Sequence, residues 1–128
     1  MKKLPILFIC ENNNYSVFSP QKKRQAGSEI FRKVRNFGKN SEIIFGNNIG
    51  SLYNKINIIL KKMRNNHQPF FLEVLTYRQS SHYGPESDLD IGYRNKSELD
   101  FWKKFCPVDM FEKKLIKNKI INRNLTAS

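Results

Sequence analysis

An α/β domain built on about three parallel strands with flanking helices is what this sequence predicts. Three observations carry that expectation. The first apolar run, Leu4–Cys10, is hydrophobic at nearly every position, as strands are when helices cover both faces of a parallel sheet. Segments with a helical period alternate with short apolar runs along the chain. Between residues 42 and 77 the order is strand, helix, strand, which by strong precedent forms a right-handed crossover unit.

The elements follow in order. After Leu4–Cys10 comes a polar segment, Glu11 to Pro20, that reads as a loop leaving the strand's carboxyl end. In "SEIFRKVRNFG", Ile30, Val34 and Phe37 fall at helical spacing and Gly38 supplies the stop. Glu42–Phe45 is a short strand closed by a turn at Gly46. "SLYNKINIILKKM" is the clearest helix, with Leu52, Tyr53, Ile56, Ile59, Leu60 and Met63 marking one face. "RNNHQP" breaks it, and Phe70–Tyr77 is the third strand. Residues 79–93 form a long polar loop, of a length that is usually functional or disordered. Ser97 and Asp100 have capping-box spacing for the helix "SELDFWKKF". Pro107 takes a first-turn position in the next helix, "PVDMFEKKLIK". The tail 118–128 is weakly patterned and is expected to fray. Three strands make a thin sheet, and a first strand apolar on both faces asks for neighbours that this chain barely supplies. The pattern suits part of a larger α/β domain.

Composition narrows the function classes. The chain has 128 residues, about one small domain. Lys and Arg number 23 against 11 acids, a formal charge of +12. Such an excess attracts polyanions. Here, however, the basic residues are scattered, without a run of five and without aromatics interleaved on one face. Fifteen asparagines accompany them, which suits a broad compositional bias better than a nucleic-acid stripe. Cys10 and Cys106 lie far apart with no metal or redox spacing, as expected of two reduced thiols in a cytoplasmic protein. "MKKLPILFIC" imitates a signal peptide, but its apolar run is seven residues long, contains Pro5 and lacks a small-residue cleavage site. It therefore reads as a strand. No stretch approaches the roughly 20 apolar residues that span a bilayer.

An apolar strand that stops on "ENNNY" is the informative feature. In open parallel sheets, ligands bind outside the carboxyl ends of strands. An asparagine oxygen there is a hard neutral donor suited to magnesium, and a nearby backbone carbonyl adds a second oxygen. Taken by itself, Asn13 reads as a turn former, and His82 as a solvated loop residue. Arg78 and Arg94 read as surface partners of Asp88 or Asp90, each pair contributing about 0–1 kcal/mol. His67 has no assigned role, and Glu11 is a cap or turn residue.

"LPILFICENNNYSVFSP" resembles the second half of the thiamine-diphosphate motif in the alpha subunit of 2-oxo acid (pyruvate- or acetoin-type) dehydrogenases. That motif opens with Gly-Asp-Gly and closes, some two dozen residues later, on paired asparagines after an apolar strand. The likeness continues in the family's order through "RQA" at Arg24–Ala26, "FGNNIGSLY", "FFLEVLTYR", "HYGPESDLDIGYR" and "ELDFWKKFCPVDMF". It covers nearly the whole chain. It implies a three-layer thiamine-diphosphate-binding fold, truncated here, with residues 1–128 as the C-terminal half of the alpha-subunit domain.

The resemblance implies roles as well. Asn13 matches the second asparagine, whose side-chain oxygen binds magnesium. Tyr15 matches the residue that lends its backbone carbonyl to the same ion. His82 matches the loop histidine that contacts the cofactor's diphosphate region and assists proton transfers. The sequence also departs from the family pattern. It contains no Gly-Asp-Gly, and every aspartate lies at position 88 or later, so the family's aspartate ligand is expected to be absent. The usual Gly-Asn-Asp turn reads Gly46-Asn47-Asn48, and Ser81 and Tyr83 flank the histidine.

The implied complete enzyme decarboxylates a 2-oxo acid or cleaves an acetoin-like substrate, using thiamine diphosphate and magnesium. Its partner is a beta subunit, in a heterotetramer; an upstream gene encoding the missing half would make this a split enzyme, and its absence a remnant. This chain by itself is expected to be inactive and not to bind the cofactor. Two alternatives stay open: a non-catalytic remnant or subunit-association module, and a basic nucleic-acid-binding protein.

Overall fold

A computed structural model describes residues 4–27, 29–38, 40–84 and 88–122. Its central element is a three-stranded parallel sheet in the order β1 (Leu7–Asn12), β5 (Phe70–Leu75), β4 (Asn40–Phe45). A small antiparallel pair, β2 (Tyr15–Ser16) and β3 (Ser19–Pro20), follows β1. The helices are α1 (Gln21–Arg24), α2 (Ile30–Asn36), α3 (Ile49–Asn66), α4 (Lys96–Lys103) and α5 (Pro107–Lys117), with a 3-10 turn at Leu89–Ile91. The predicted α/β class and parallel sheet are thus present, with β4, α3 and β5 consecutive and the two strands adjacent.

The two faces of β5 differ in chemistry, and this positions everything else. Phe70, Leu72 and Val74 alternate onto one face and are buried with Ile59 and Met63 of α3. Leu7, Ile44, Leu52 and Ile56 pack around that core. Phe71, Glu73 and Leu75 take the other face, where α2 lies over β4 and β5. Phe31 of α2 is buried there, and the Ser41 hydroxyl donates to its carbonyl at 2.7 Å. Helices therefore cover both faces, giving three layers.

The structure moves several expectations. The run Leu4–Cys10, expected to be buried on both faces, instead forms the edge strand β1, with Phe8 and Ile9 both about half exposed (53% and 52%), and it is β5 that lies in the centre of the sheet. β1 begins and ends later than its apolar run, because its pairing with β5 extends through Asn12. Tyr53 of α3 and Phe37 after α2 point outward, although their spacing matched the apolar faces. The cap of α4 is Asn95, whose side chain accepts from Glu98 N at 2.8 Å, and not Ser97. Residues 118–122 close α5 with a turn in which Ile120 N donates to Leu115 O at 2.9 Å. The remainder of the tail expected to fray, 123–128, lies outside the described residues.

At the carboxyl ends of the strands, Gly46 makes the tight exit from β4. A Cβ there would sit 2.5 Å from Val74 Cγ1 and 3.0 Å from the Leu75 carbonyl oxygen, so only glycine fits. The next residue, Asn47, is buried and donates to Phe105 O at 2.7 Å. Trp102 of α4 stacks on both Phe45 and Tyr77, at 5.5 and 5.3 Å between ring centroids. Together these contacts dock α4 over the end of the sheet where the chain leaves β1, β4 and β5.

Candidate functional site

The turn after β1 is held by asparagine side chains acting on backbone N–H groups. Asn12 Oδ1 accepts from Asn14 N, and Asn13 Oδ1 from Tyr15 N, each at 2.9 Å. These are Asx turns, which asparagine forms readily. Asn14 takes a left-handed conformation, φ 64°, which asparagine tolerates better than most residues. The Asn14 carbonyl in turn accepts from Gln21 N at 2.7 Å. The turn therefore has a defined shape before any ligand is considered.

Beneath it lies a buried polar cluster. Asn12 Nδ2 donates to Glu73 Oε1 at 2.6 Å and to Gln21 Oε1 at 2.9 Å. Glu73, with no exposed surface, also accepts from Phe31 N at 2.8 Å through its other oxygen. That N–H is one of the orphan donors at the start of α2, whose N-cap Glu29 makes no side-chain cap bond. The cluster thus ties α2, β5 and the β1 turn together. The Cys10 thiol, half-buried on the paired residue of β1, is pushed up in pKa by burial and by the Glu73 carboxylate.

Tyr15 opens toward a second group. Its hydroxyl donates to Glu98 Oε2 at 2.7 Å, and its ring meets Tyr77 and Tyr93 edge-on at 6.5 and 5.4 Å. Burial, then the bond to Glu98, push the Tyr15 hydroxyl well above its ordinary pKa. Beside it is an open hollow of about 450 Å³ between the β1 turn and α4, lined by Asn14, Tyr15, Gln21, Lys22, Asn95 and Glu98 among others.

The loop expected to carry His82 is organised by an ion pair. Arg94 and Asp88 each have only 1% of their side-chain surface exposed. Arg94 Nε donates to Asp88 Oδ1 at 2.7 Å, and Nη2 donates to the same oxygen. Arg94 also donates to the carbonyls of Arg78 (2.5 Å), Gln79 (3.3 Å) and Ser80 (3.2 Å). Tyr93 donates its hydroxyl to Asp88, and Arg78 Nη2 donates to that hydroxyl at 2.8 Å. Burial alone would raise the Asp88 pKa, but the bonds from Tyr93 and Arg94 and the Arg94 charge outweigh it and hold the carboxyl below its ordinary value. The expectation of surface pairing is corrected here: the pair is buried and closes the loop from inside.

His82 itself is exposed, its ring edge-on to Tyr83 at 4.7 Å. Tyr83 meets Phe18 at 5.8 Å, Phe18 meets Tyr93 at 5.0 Å, and Tyr93 meets Tyr15. An aromatic chain therefore connects the histidine to the asparagine turn at the same end of the sheet. Asn13 is half-buried, and its side-chain oxygen keeps a second lone pair beyond the bond to Tyr15 N. Among the described residues no group of three or more His, Cys, Asp or Glu could hold a metal ion. The turn therefore offers magnesium a neutral oxygen but no carboxylate, and a complete shell of oxygen ligands would need donors from elsewhere.

Sequence reasoning passed over Glu73, Asn12 and Glu98. A signal for the first was present, a lone acid inside the apolar strand "FFLEVL". Nothing local marks Glu98, whose partner lies 83 residues away.

The profile of the family described as "Dehydrogenase E1 component" matches residues 1–127. The mitochondrial 2-oxoisovalerate dehydrogenase subunit alpha of Mus musculus is 31% identical over 100 residues, covering 78% of this chain and 22% of its own length. The human protein of that name gives the same figures. The Bacillus subtilis 2-oxoisovalerate dehydrogenase subunit alpha is 29% identical over 106 residues, 83% of this chain and 32% of its own. The chain spans about a fifth to a third of the length of these curated relatives.

Proposed function

The chain belongs to the dehydrogenase E1 component family, and from that premise we propose that it supplies one wall of a thiamine-diphosphate site in a 2-oxo acid dehydrogenase alpha subunit. The observation that carries this reading is the preshaped Asn12–Asn13–Asn14 turn at the carboxyl end of β1, joined through aromatic contacts to His82. In this reading Asn13 Oδ1 and the Tyr15 carbonyl bind magnesium. His82 meets the diphosphate region, or moves a proton at its imidazole nitrogen. The cofactor, when bound, supplies carbanion stabilisation next to the former 2-oxo group. The chain's own part is to hold the ion, present the histidine and shape the cleft. Oxidative decarboxylation of a 2-oxo acid is the reaction class, as the relatives' names suggest; cleavage of an acetoin-like substrate is its alternative.

The 128 residues contain no Gly-Asp-Gly, so the aspartate ligand and diphosphate cradle come from a further segment, encoded upstream. Support comes from β1, whose outer edge carries no strand among the described residues and whose Phe8 and Ile9 are exposed. A beta subunit completes the active site in a heterotetramer. Residues 1–128 then form the C-terminal half of the alpha-subunit domain, working in the cytoplasm, in keeping with two free thiols. Among the described residues no helix is long and apolar enough to cross a membrane.

Calorimetry of the isolated chain with thiamine diphosphate and magnesium is expected to show binding weaker than micromolar. Mixing the chain with the Gly-Asp-Gly segment and the beta subunit is expected to restore 2-oxo acid decarboxylation. Micromolar binding by the chain alone, or an assembled complex without activity, would contradict the proposal. The second outcome would favour a non-catalytic association module, a reading that the exposed β1 surface also supports.

A further inference from the structure

We propose that Glu73 is a positioning residue for the ligand turn: acting through Asn12, it sets the backbone that presents Asn13 and Tyr15. This rests on the reading of those two residues as ion ligands and adds a group that never touches the ion.

Hydrogen-bond polarity carries the relay. Both carboxylate oxygens of Glu73 accept N–H groups, one from Phe31 N at 2.8 Å and one from Asn12 Nδ2 at 2.6 Å. A carboxylate can only accept. Its presence therefore dictates which way the Asn12 amide faces, with nitrogen toward Glu73 and oxygen toward Asn14 N. With its nitrogen also donating to Gln21 Oε1, the Asn12 amide is locked. Its oxygen then holds Asn14 in the left-handed conformation from which the chain turns into Tyr15. Asn12 and Glu73 are both buried, so water is a poor substitute for any of these bonds.

Replacing the acid by its amide isostere tests the relay. In Glu73→Gln the Phe31 N–H belongs to the backbone and cannot turn, so it keeps the single remaining oxygen. The new NH₂ group then faces Asn12 Nδ2, donor against donor. Asn12 relieves this by turning over, which withdraws its oxygen from Asn14 N. A second change, Asn12→Asp, restores complementarity toward position 73 and Asn14, with the Gln21 amide turned so that its nitrogen donates to the new carboxylate. One oxygen of the introduced carboxylate accepts from the amide NH₂ now at position 73, and the other accepts from Asn14 N.

Amide hydrogen exchange on the chain without metal or cofactor reads the result. In Glu73→Gln, protection at Asn14 is expected to fall at least about tenfold while the β5 ladder keeps its protection. In the double variant Glu73→Gln with Asn12→Asp, Asn14 is expected to recover to within about threefold. A Glu73 that merely caps α2 gives the opposite pattern, with loss at Phe31 and its neighbours and no change at Asn14, and that result overturns the proposal. If Glu73→Gln does not fold, the double variant decides: recovery of fold and Asn14 protection supports the relay, and failure to recover overturns it. Because the measurement needs no ion, it stands apart from the ligand assignments, which a metal titration of the assembled enzyme tests.

Discussion

Removing the guanidinium from the loop core, as in Arg94→Met, tests how residues 78–94 are held. Methionine keeps much of the apolar stem and takes away every donor. Asp88, with 1% of its side chain exposed, then keeps the Tyr93 hydroxyl and a distant Arg78 Nη2 at 3.8 Å. Stripping one partner from a buried ion pair costs about 3–5 kcal/mol, because the other charge stays buried and uncompensated. Tyr93 and Arg78 offset part of this, placing the expected loss near the lower end, about 3 kcal/mol. With a urea slope of roughly 1–3 kcal/mol per molar, the unfolding midpoint should fall by about 1–3 M. The single tryptophan, Trp102, stacked on Tyr77 next to this loop, reports the transition by fluorescence. The double variant Arg94→Met with Asp88→Leu should recover most of the loss, since no lone charge remains inside. A loss under about 1 kcal/mol, the range of an exposed pair, would refute the reasoning.

Three further outcomes follow from the same contacts. The Asp88 carboxyl is held below its ordinary value of 3.8, so its contribution to stability is complete above that pH and is lost as pH falls through the depressed folded value. Urea midpoints taken from about pH 6 to about pH 2 should show that decline, and Asp88→Leu with Arg94→Met should flatten it. Cys10, pushed up by burial and by Glu73, should react with iodoacetamide more slowly than free cysteine, and a few-fold faster in Glu73→Gln; equal rates in the two proteins would count against any influence of the carboxylate on the thiol. Asn95→Ala removes the cap of α4 and should cost about 1 kcal/mol, with unchanged stability ruling the capping bond unimportant.

Much of the fold was legible because it follows from local patterning. The apolar runs at β1, β4 and β5 and the stripe Leu52, Ile56, Ile59, Met63 mark the sheet and its main helix directly. What local patterning cannot supply is strand order. β5, the last strand in sequence among the described residues, inserts between β1 and β4, which leaves Phe8 and Ile9 on an exposed edge strand and puts Leu72 at the centre of the sheet under α3. The site was legible only in part for the same reason. Asn13, Tyr15 and His82 stand out through family motifs, whereas Glu73, Glu98 and the Arg94–Asp88 pair gain their meaning from partners brought together by the sheet. Arg94 and Asp88 are only six positions apart, but nothing in their spacing reveals that the loop folds around them.

Whether the asparagine turn at the end of β1 holds a divalent ion decides the proposed function. The direct test is a manganese titration, with thiamine diphosphate present, of the chain assembled with the Gly-Asp-Gly segment and the beta subunit, followed by electron paramagnetic resonance. Asn13→Ala should weaken ion binding at least about tenfold, while Asn54→Ala, on the exposed face of α3, should leave it unchanged. Equal affinity in the Asn13→Ala and original proteins would contradict the claim.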